Sequence, residues 1–154
     1  MKKILIIGYG NTIRSDDSLG PIIADRLTLK YKSSPNIQIA SYLQLDIQVI
    51  EDLKEVDVAI FIDAREDNDE EIVKVTQISK EAVLHHSHTS HSISLPTLVK
   101  MTESLYNKNP FCYAVAPKGY DFEVGEILSE KAEIAATKAI DEVDKIINTY
   151  SKKE

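Results

Sequence analysis

The chain has 154 residues, 43% of them hydrophobic and 28% charged, with a formal net charge of −7. That length suits one sizeable core, and the excess of acids argues against sequence-independent nucleic-acid binding and against docking on anionic membranes. No apolar run approaches the roughly 20 residues that span a bilayer, and the lone cysteine, Cys112, excludes an internal disulfide and a thiolate metal cluster.

Ile4 to Ile7 is a continuous, β-branched apolar run, the pattern of a central parallel strand covered on both faces. The basic start before it, Met1-Lys2-Lys3, does not read as an export signal, because the apolar stretch stops at Ile7 and no small-residue cleavage site follows. The expected compartment is the cytoplasm. A polar loop runs from Tyr9 to Ser18, and Pro21 stands where a helix would begin, with Ile23, Leu27 and Tyr31 at helical spacing up to about Lys32. Asn36 to Ala40 alternates as a second strand, and Ile47, Val49, Ile50 and Leu53 predict a short helix.

Val56 to Asp63 is another apolar run, ending in an acid, followed by a charged, solvated loop from Arg65 to Glu71. Ile72 to Ile78 alternates as a strand with one wet face. A histidine-rich loop, His85 to His91, precedes a helix carrying Leu95, Leu98, Val99, Met101 and Leu105. Phe111 to Ala116 reads as a strand that packs Cys112 as an inert thiol. The last helix, from about Ser129, places Ala132, Ala136, Ile140, Val143 and Ile147 inward, and Tyr150 to Glu154 reads as a polar tail. Strands alternating with helices predict a three-layer α/β sandwich, residues 1–149 forming one domain with a mainly parallel twisted sheet and helices on both faces.

In such sheets ligands gather at the carboxyl ends of the strands. Three unusual segments belong there: the glycine loop from Gly8 to Gly20, Asp63, and the loop that holds all four histidines, His85, His86, His88 and His91. Gly8-x-Gly10 is not a dinucleotide fingerprint, since the third glycine position is Ile13 and Asp16 and Asp17 would repel a pyrophosphate. One of these acids can cap the helix while the other faces the cleft, with Asp16 favoured as cap and Asp17 as functional acid. Asp63, ending a buried strand, needs either a structural hydrogen bond or a functional partner. Histidines opposite two acids hint at a mixed nitrogen and oxygen metal site. Neither an HExxH motif nor a GxSxG elbow is present.

The run Gly8-Tyr9-Gly10-Asn11-Thr12-Ile13-Arg14-Ser15-Asp16-Asp17-Ser18-Leu19-Gly20 resembles the G-x-G-N-x-x-x-x-D-[DE]-x-x-G signature of the hydrogenase maturation endopeptidases, which process [NiFe]-hydrogenase large subunits. Phe61-Ile62-Asp63-Ala64 and His91-Ser92-Ile93-Ser94-Leu95-Pro96 are similar to two further segments of that family. Gln44-Leu45 and the stretch Asp121 to Ser129 resemble its bidirectional, cytoplasmic branch. The chain departs from the pattern at Arg65 to Glu71, where many members carry a glycine- or proline-containing loop, and lacks a glycine pair after the second strand. The resemblance implies a peptidase that recognises nickel already loaded in the precursor and removes its C-terminal extension. It implies Asp17, Asp63 and His91 as nickel ligands, with His88 as the alternative histidine. Asp17 and Asp63 would serve catalysis as well, Asp16 is the candidate general base, and Gly8, Gly10 and Asn11 would shape the substrate cleft. The alternative is a nickel-binding accessory protein of hydrogenase assembly that does not cut.

Overall fold

The computed structural model describes residues 1–79 and 93–151. Five strands form one sheet: β1 (Ile4–Tyr9), β2 (Ile37–Tyr42), β3 (Val58–Ile62), β4 (Val73–Ile78) and β5 (Phe111–Pro117). Their spatial order is β2-β1-β3-β5-β4, parallel throughout except for β4, which runs antiparallel to β5. Four helices, α1 (Leu19–Lys30), α2 (Val49–Leu53), α3 (Leu95–Tyr106) and α4 (Glu130–Ser151), cover it, and a short 3-10 helix, Ser15–Ser18, precedes α1. This is the expected α/β sandwich.

Side chains that alternate along each strand divide the core into two layers. Ile4 and Ile6 of β1 and Val58, Ile60 and Ile62 of β3 pack with Leu19, Ile23 and Leu27 of α1 and with Ala132, Ala136, Ala139 and Val143 of α4. Leu5 and Ile7 of β1 and Ala59 and Phe61 of β3 face the other way, against Val49, Ile50 and Leu53 of α2 and Leu98 and Val99 of α3. Burying an Ile, Leu or Phe side chain contributes about 1.5–3 kcal/mol, so these two central strands anchor both layers.

Several local expectations shift. Helix α1 begins at Leu19, which makes Pro21 its third residue; that is still within the first turn, where the missing N–H loses no intrahelical bond. Helix α3 begins at a Ser94 cap whose side chain accepts from Thr97 N–H, and ends at Asn107 in the left-handed conformation. The stretch Arg65 to Glu71 is organised rather than merely solvated: the Arg65 guanidinium donates to Ala116 O at 2.8 Å and to Glu71 O, and pairs with Asp67 at 2.8 Å. Tyr150 and Ser151, expected to open a polar tail, belong to the last helix. Tyr150 is buried, shares a hydrogen bond with the Tyr113 hydroxyl, and lies within helix α4, which runs on to Ser151. Cys112 is buried as expected, and loss of solvation pushes its thiol up to about 12. No helix among the described residues is long and apolar enough to cross a membrane.

The chain leaves β1 toward β2 on one side and comes back to place β3 on the other. The crevice between the carboxyl ends of β1 and β3 is therefore a topological switch point, where open α/β sheets bind their ligands.

Candidate functional site

The glycines of the first loop bring helix α1 into backbone contact with the sheet. A Cβ on Gly8 would lie 2.0 Å from Gly20 O, and one on Gly20 would lie 2.4 Å from Tyr9 O and 2.5 Å from Ile62 O. Gly10, at φ 150°, occupies a backbone region that side chains disfavour, and a Cβ there would sit 2.0 Å from Asp17 O. The loop therefore doubles back so that Asn11 N–H donates to Asp17 Oδ2 at 2.9 Å. The Asn11 side chain accepts from Ile13 N–H at 3.0 Å, which tightens the turn. Arg14 Nη1 stands 4.0 Å from the same Asp17 oxygen. Gly8, Gly10 and Asn11, expected to shape a cleft, thus fix where the Asp17 carboxylate lies.

Asp63 arrives from the neighbouring strand. The β1–β3 register ends at Gly8 opposite Ile62, so Tyr9 and Asp63 are the next residues along adjacent strands. Both continue the alternation of Leu5 and Ile7, and of Ala59 and Phe61, which puts them on the α2/α3 face; Tyr9 packs against that cluster. Burial, then the charge of Asp17, pushes the Asp63 carboxyl up to about 7, and the Ala64 N–H only partly opposes them. A carboxyl raised in this way beside a second acid makes Asp63 a candidate functional position. The two acids are thus close enough for the charge of Asp17 to act on Asp63.

Tyr9 was not singled out by sequence, where it fills the variable place between two glycines. Burial and then the Asp63 charge hold its phenol well above its usual range, so it stays protonated. Among the described residues its hydroxyl has no hydrogen-bond partner. Only the strand register reveals it.

Asp16 lies in a different environment from Asp17. It is fully buried, and its carboxylate accepts from Tyr120 N–H at 2.8 Å, Asp121 N–H at 2.9 Å, Ser129 N–H at 2.8 Å and Ser129 Oγ at 2.7 Å. Burial raises its proton affinity, but the hydrogen bonds from Ser129, Tyr120 and Asp121 outweigh it and hold the group below the usual carboxylate range. These are the surroundings of a clamp, and they do not suit the general-base role expected for Asp16. It does not cap helix α1 either, whose first turn has no side-chain cap. Instead it holds Ser129, whose hydroxyl accepts from Ala132 N–H at 3.2 Å at the start of α4.

The histidines expected as ligands, His91 or His88, lie outside the described residues, as do His85 and His86. Among the described residues no three His, Cys, Asp or Glu side chains gather into a metal site. Ile93, where description resumes, packs on the α2/α3 cluster and donates its N–H to Leu45 O at 3.4 Å. The chain therefore re-enters the described fold on the face that carries Asp63 and Tyr9. Two neighbouring carboxylates, with Arg14 the nearest cation to Asp17 among the described residues, fit the oxygen side of a mixed oxygen and nitrogen donor set for a divalent metal.

Several known proteins share this architecture. The hydrogenase maturating endopeptidase HybD from E. coli superimposes with a TM-score of 0.78 at 15% identity, covering 96% of this chain and 93% of that one. A [NiFe] hydrogenase maturation protease, HycI from Thermococcus kodakarensis, gives 0.72 at 18% identity over 96% and 93% of the two chains. In sequence, MJ0631 of Methanocaldococcus jannaschii, provisionally named as a hydrogenase maturation protease, is 23% identical over 155 residues, 95% of this chain and 89% of that one. No family model matches the chain. The likeness is thus strong in fold and weak in sequence.

Proposed function

From that shared fold and the paired acids, we propose that the chain is a cytoplasmic endopeptidase that recognises nickel in the precursor of a [NiFe]-hydrogenase large subunit and removes its C-terminal extension. The observation that carries this reading is the meeting of Asp17 and Asp63 at the switch point, with Asp63 held near 7 by burial and by Asp17. Two unbridged carboxylates repel each other, and an arriving divalent cation relieves the repulsion. The site thereby favours a substrate that carries a divalent metal over one that carries none, and in this proposal that metal is nickel.

In this reading Asp17 and Asp63 offer oxygens to the nickel, and His91, or His88 in its place, offers a nitrogen. Nickel supplies Lewis acidity toward a carbonyl or a water. The protein's own part is positional. Asn11 N–H holds Asp17, the glycine contacts hold both strand ends, and Asp16 locks the loop behind them. With Asp16 fully engaged, Asp63 is the better placed acid to take a proton from the attacking water. Tyr9, protonated beside it, is a donor available to a developing negative charge.

The test is direct. Incubating the protein with nickel-loaded precursor should give a product whose intact mass lacks the C-terminal extension, and precursor without nickel should stay whole. Complex formation without any mass loss would instead favour the non-cutting accessory protein.

A further inference from the structure

Beside the site, large apolar side chains stand out on a segment that is firmly tied down. Val124 is 87% exposed and Ile127 is 84% exposed, and Ile13, on the same loop as Asp17, is 55% exposed. The two stretches are stitched together. Gly125 N–H donates to Ile13 O at 2.9 Å, Ser15 N–H to Gly125 O at 2.8 Å, and Ser15 Oγ to Glu123 O at 2.8 Å. Leu128, next in sequence to Ile127, is buried in the α1/α4 core. Ser129 follows, bound to the Asp16 carboxylate. Val124 and Ile127 cannot turn inward without breaking this lattice of bonds, so the fold holds them in water at some expense.

The same turn has a definite charge. Asp121, Glu123 and Glu126 are all exposed around the apolar pair. A surface of aliphatic side chains ringed by carboxylates complements a segment that mixes apolar residues with lysine or arginine. It is tied to the loop that carries Asp17, because Gly125 hydrogen-bonds to Ile13, four residues before that acid. Arg14, between them, lies over the Phe122 ring at 5.9 Å and 4.0 Å from Asp17.

We infer that the turn carrying Val124 and Ile127, together with Ile13, docks the polypeptide substrate through a basic, partly apolar segment beside the scissile bond. This rests on reading the neighbouring crevice as a peptidase site. Docking here fixes the substrate against the loop that carries Asp17, so the turn governs substrate affinity and leaves the chemical step alone.

The experiment measures kcat and KM on nickel-loaded precursor for four proteins: wild type, a Val124→Ser/Ile127→Ser double variant, a Glu123→Lys/Glu126→Lys double variant, and Leu29→Ser as a control on the exposed end of α1. The Ser pair should raise KM at least tenfold with kcat within twofold of wild type. The charge reversal should raise KM and flatten its dependence on salt, and Leu29→Ser should change nothing. An unchanged KM in both double variants, with wild type cutting normally, overturns the docking surface and leaves the peptidase reading intact. Should wild type not cut, the peptidase reading falls, and binding of the precursor decides the surface: a Kd weakened tenfold in the Ser pair supports it, and an equal Kd overturns it. If sedimentation shows that the Ser pair instead dissociates a dimer of this chain while KM stays put, the patch serves self-association and the inference is wrong.

Discussion

Asp16 and Asp17 are adjacent in sequence, yet they belong to two regions with opposite physics. Asp16 is sealed under Tyr120, Asp121 and Ser129, with every approach filled by a donor. Asp17 opens into the crevice toward Asp63, has one backbone donor in Asn11, and raises its neighbour's proton affinity. The sealed acid is ionised cheaply and stabilises the fold; the open pair is held in tension that a ligand can relieve. Of two like residues, the one with all its hydrogen bonds made carries the architecture, and the one left wanting is the one to which the proposed function assigns the chemistry.

The sharpest way to test that contrast is to remove the open acids. Asp17→Ala or Asp63→Ala should lower processing of nickel-loaded precursor by about 100-fold or more, with the circular dichroism spectrum unchanged. Asp16→Ala should do the reverse in kind. It removes the buried acceptor of four hydrogen bonds, so urea unfolding should show a loss of about 3 kcal/mol. Its activity loss should follow the fraction unfolded.

The pH dependence of stability should separate the two acids by sign. Asp16 has a depressed folded value, so its contribution is present above the unfolded carboxylate value near 3.9 and is lost as pH falls from there through the folded value. Asp63 is raised to about 7, so its contribution is complete at low pH and fades as pH climbs from about 4 to 7. Asp63→Asn should accordingly be more stable than wild type above pH 7, by about 1–2 kcal/mol. Equal stability of the two proteins at pH 8 would mean that Asp63 is not strained. The smallest effect belongs to Tyr9→Phe, which should slow processing severalfold at unchanged melting temperature, since the lost hydroxyl bonds to no described residue.

How much of this was legible in the sequence follows from the range of the interactions. β1 and β3 announce themselves as short apolar runs because both faces are covered, and the glycine loop and Asp63 stand out against them. Asp17 could be preferred over Asp16 only weakly, because the groups that hold Asp16 lie 104 to 113 residues away. Tyr9 was invisible for a related reason: its place beside Asp63 depends on the register between β1 and β3. The direction of β4 and the burial of Tyr150 against Tyr113 are likewise tertiary outcomes. The histidine assignment stays as the sequence left it.

The distance between Asp16 and its donors also bears on the birth of the protein. A chain emerging from the ribosome exposes its glycine loop early, while Tyr120, Asp121 and Ser129 follow more than a hundred residues later. The Asp16 clamp behind the loop that positions Asp17 cannot close until Ser129 has been synthesised. On the proposed reading, the nascent chain offers no finished nickel site to stray ions before Ser129 has emerged.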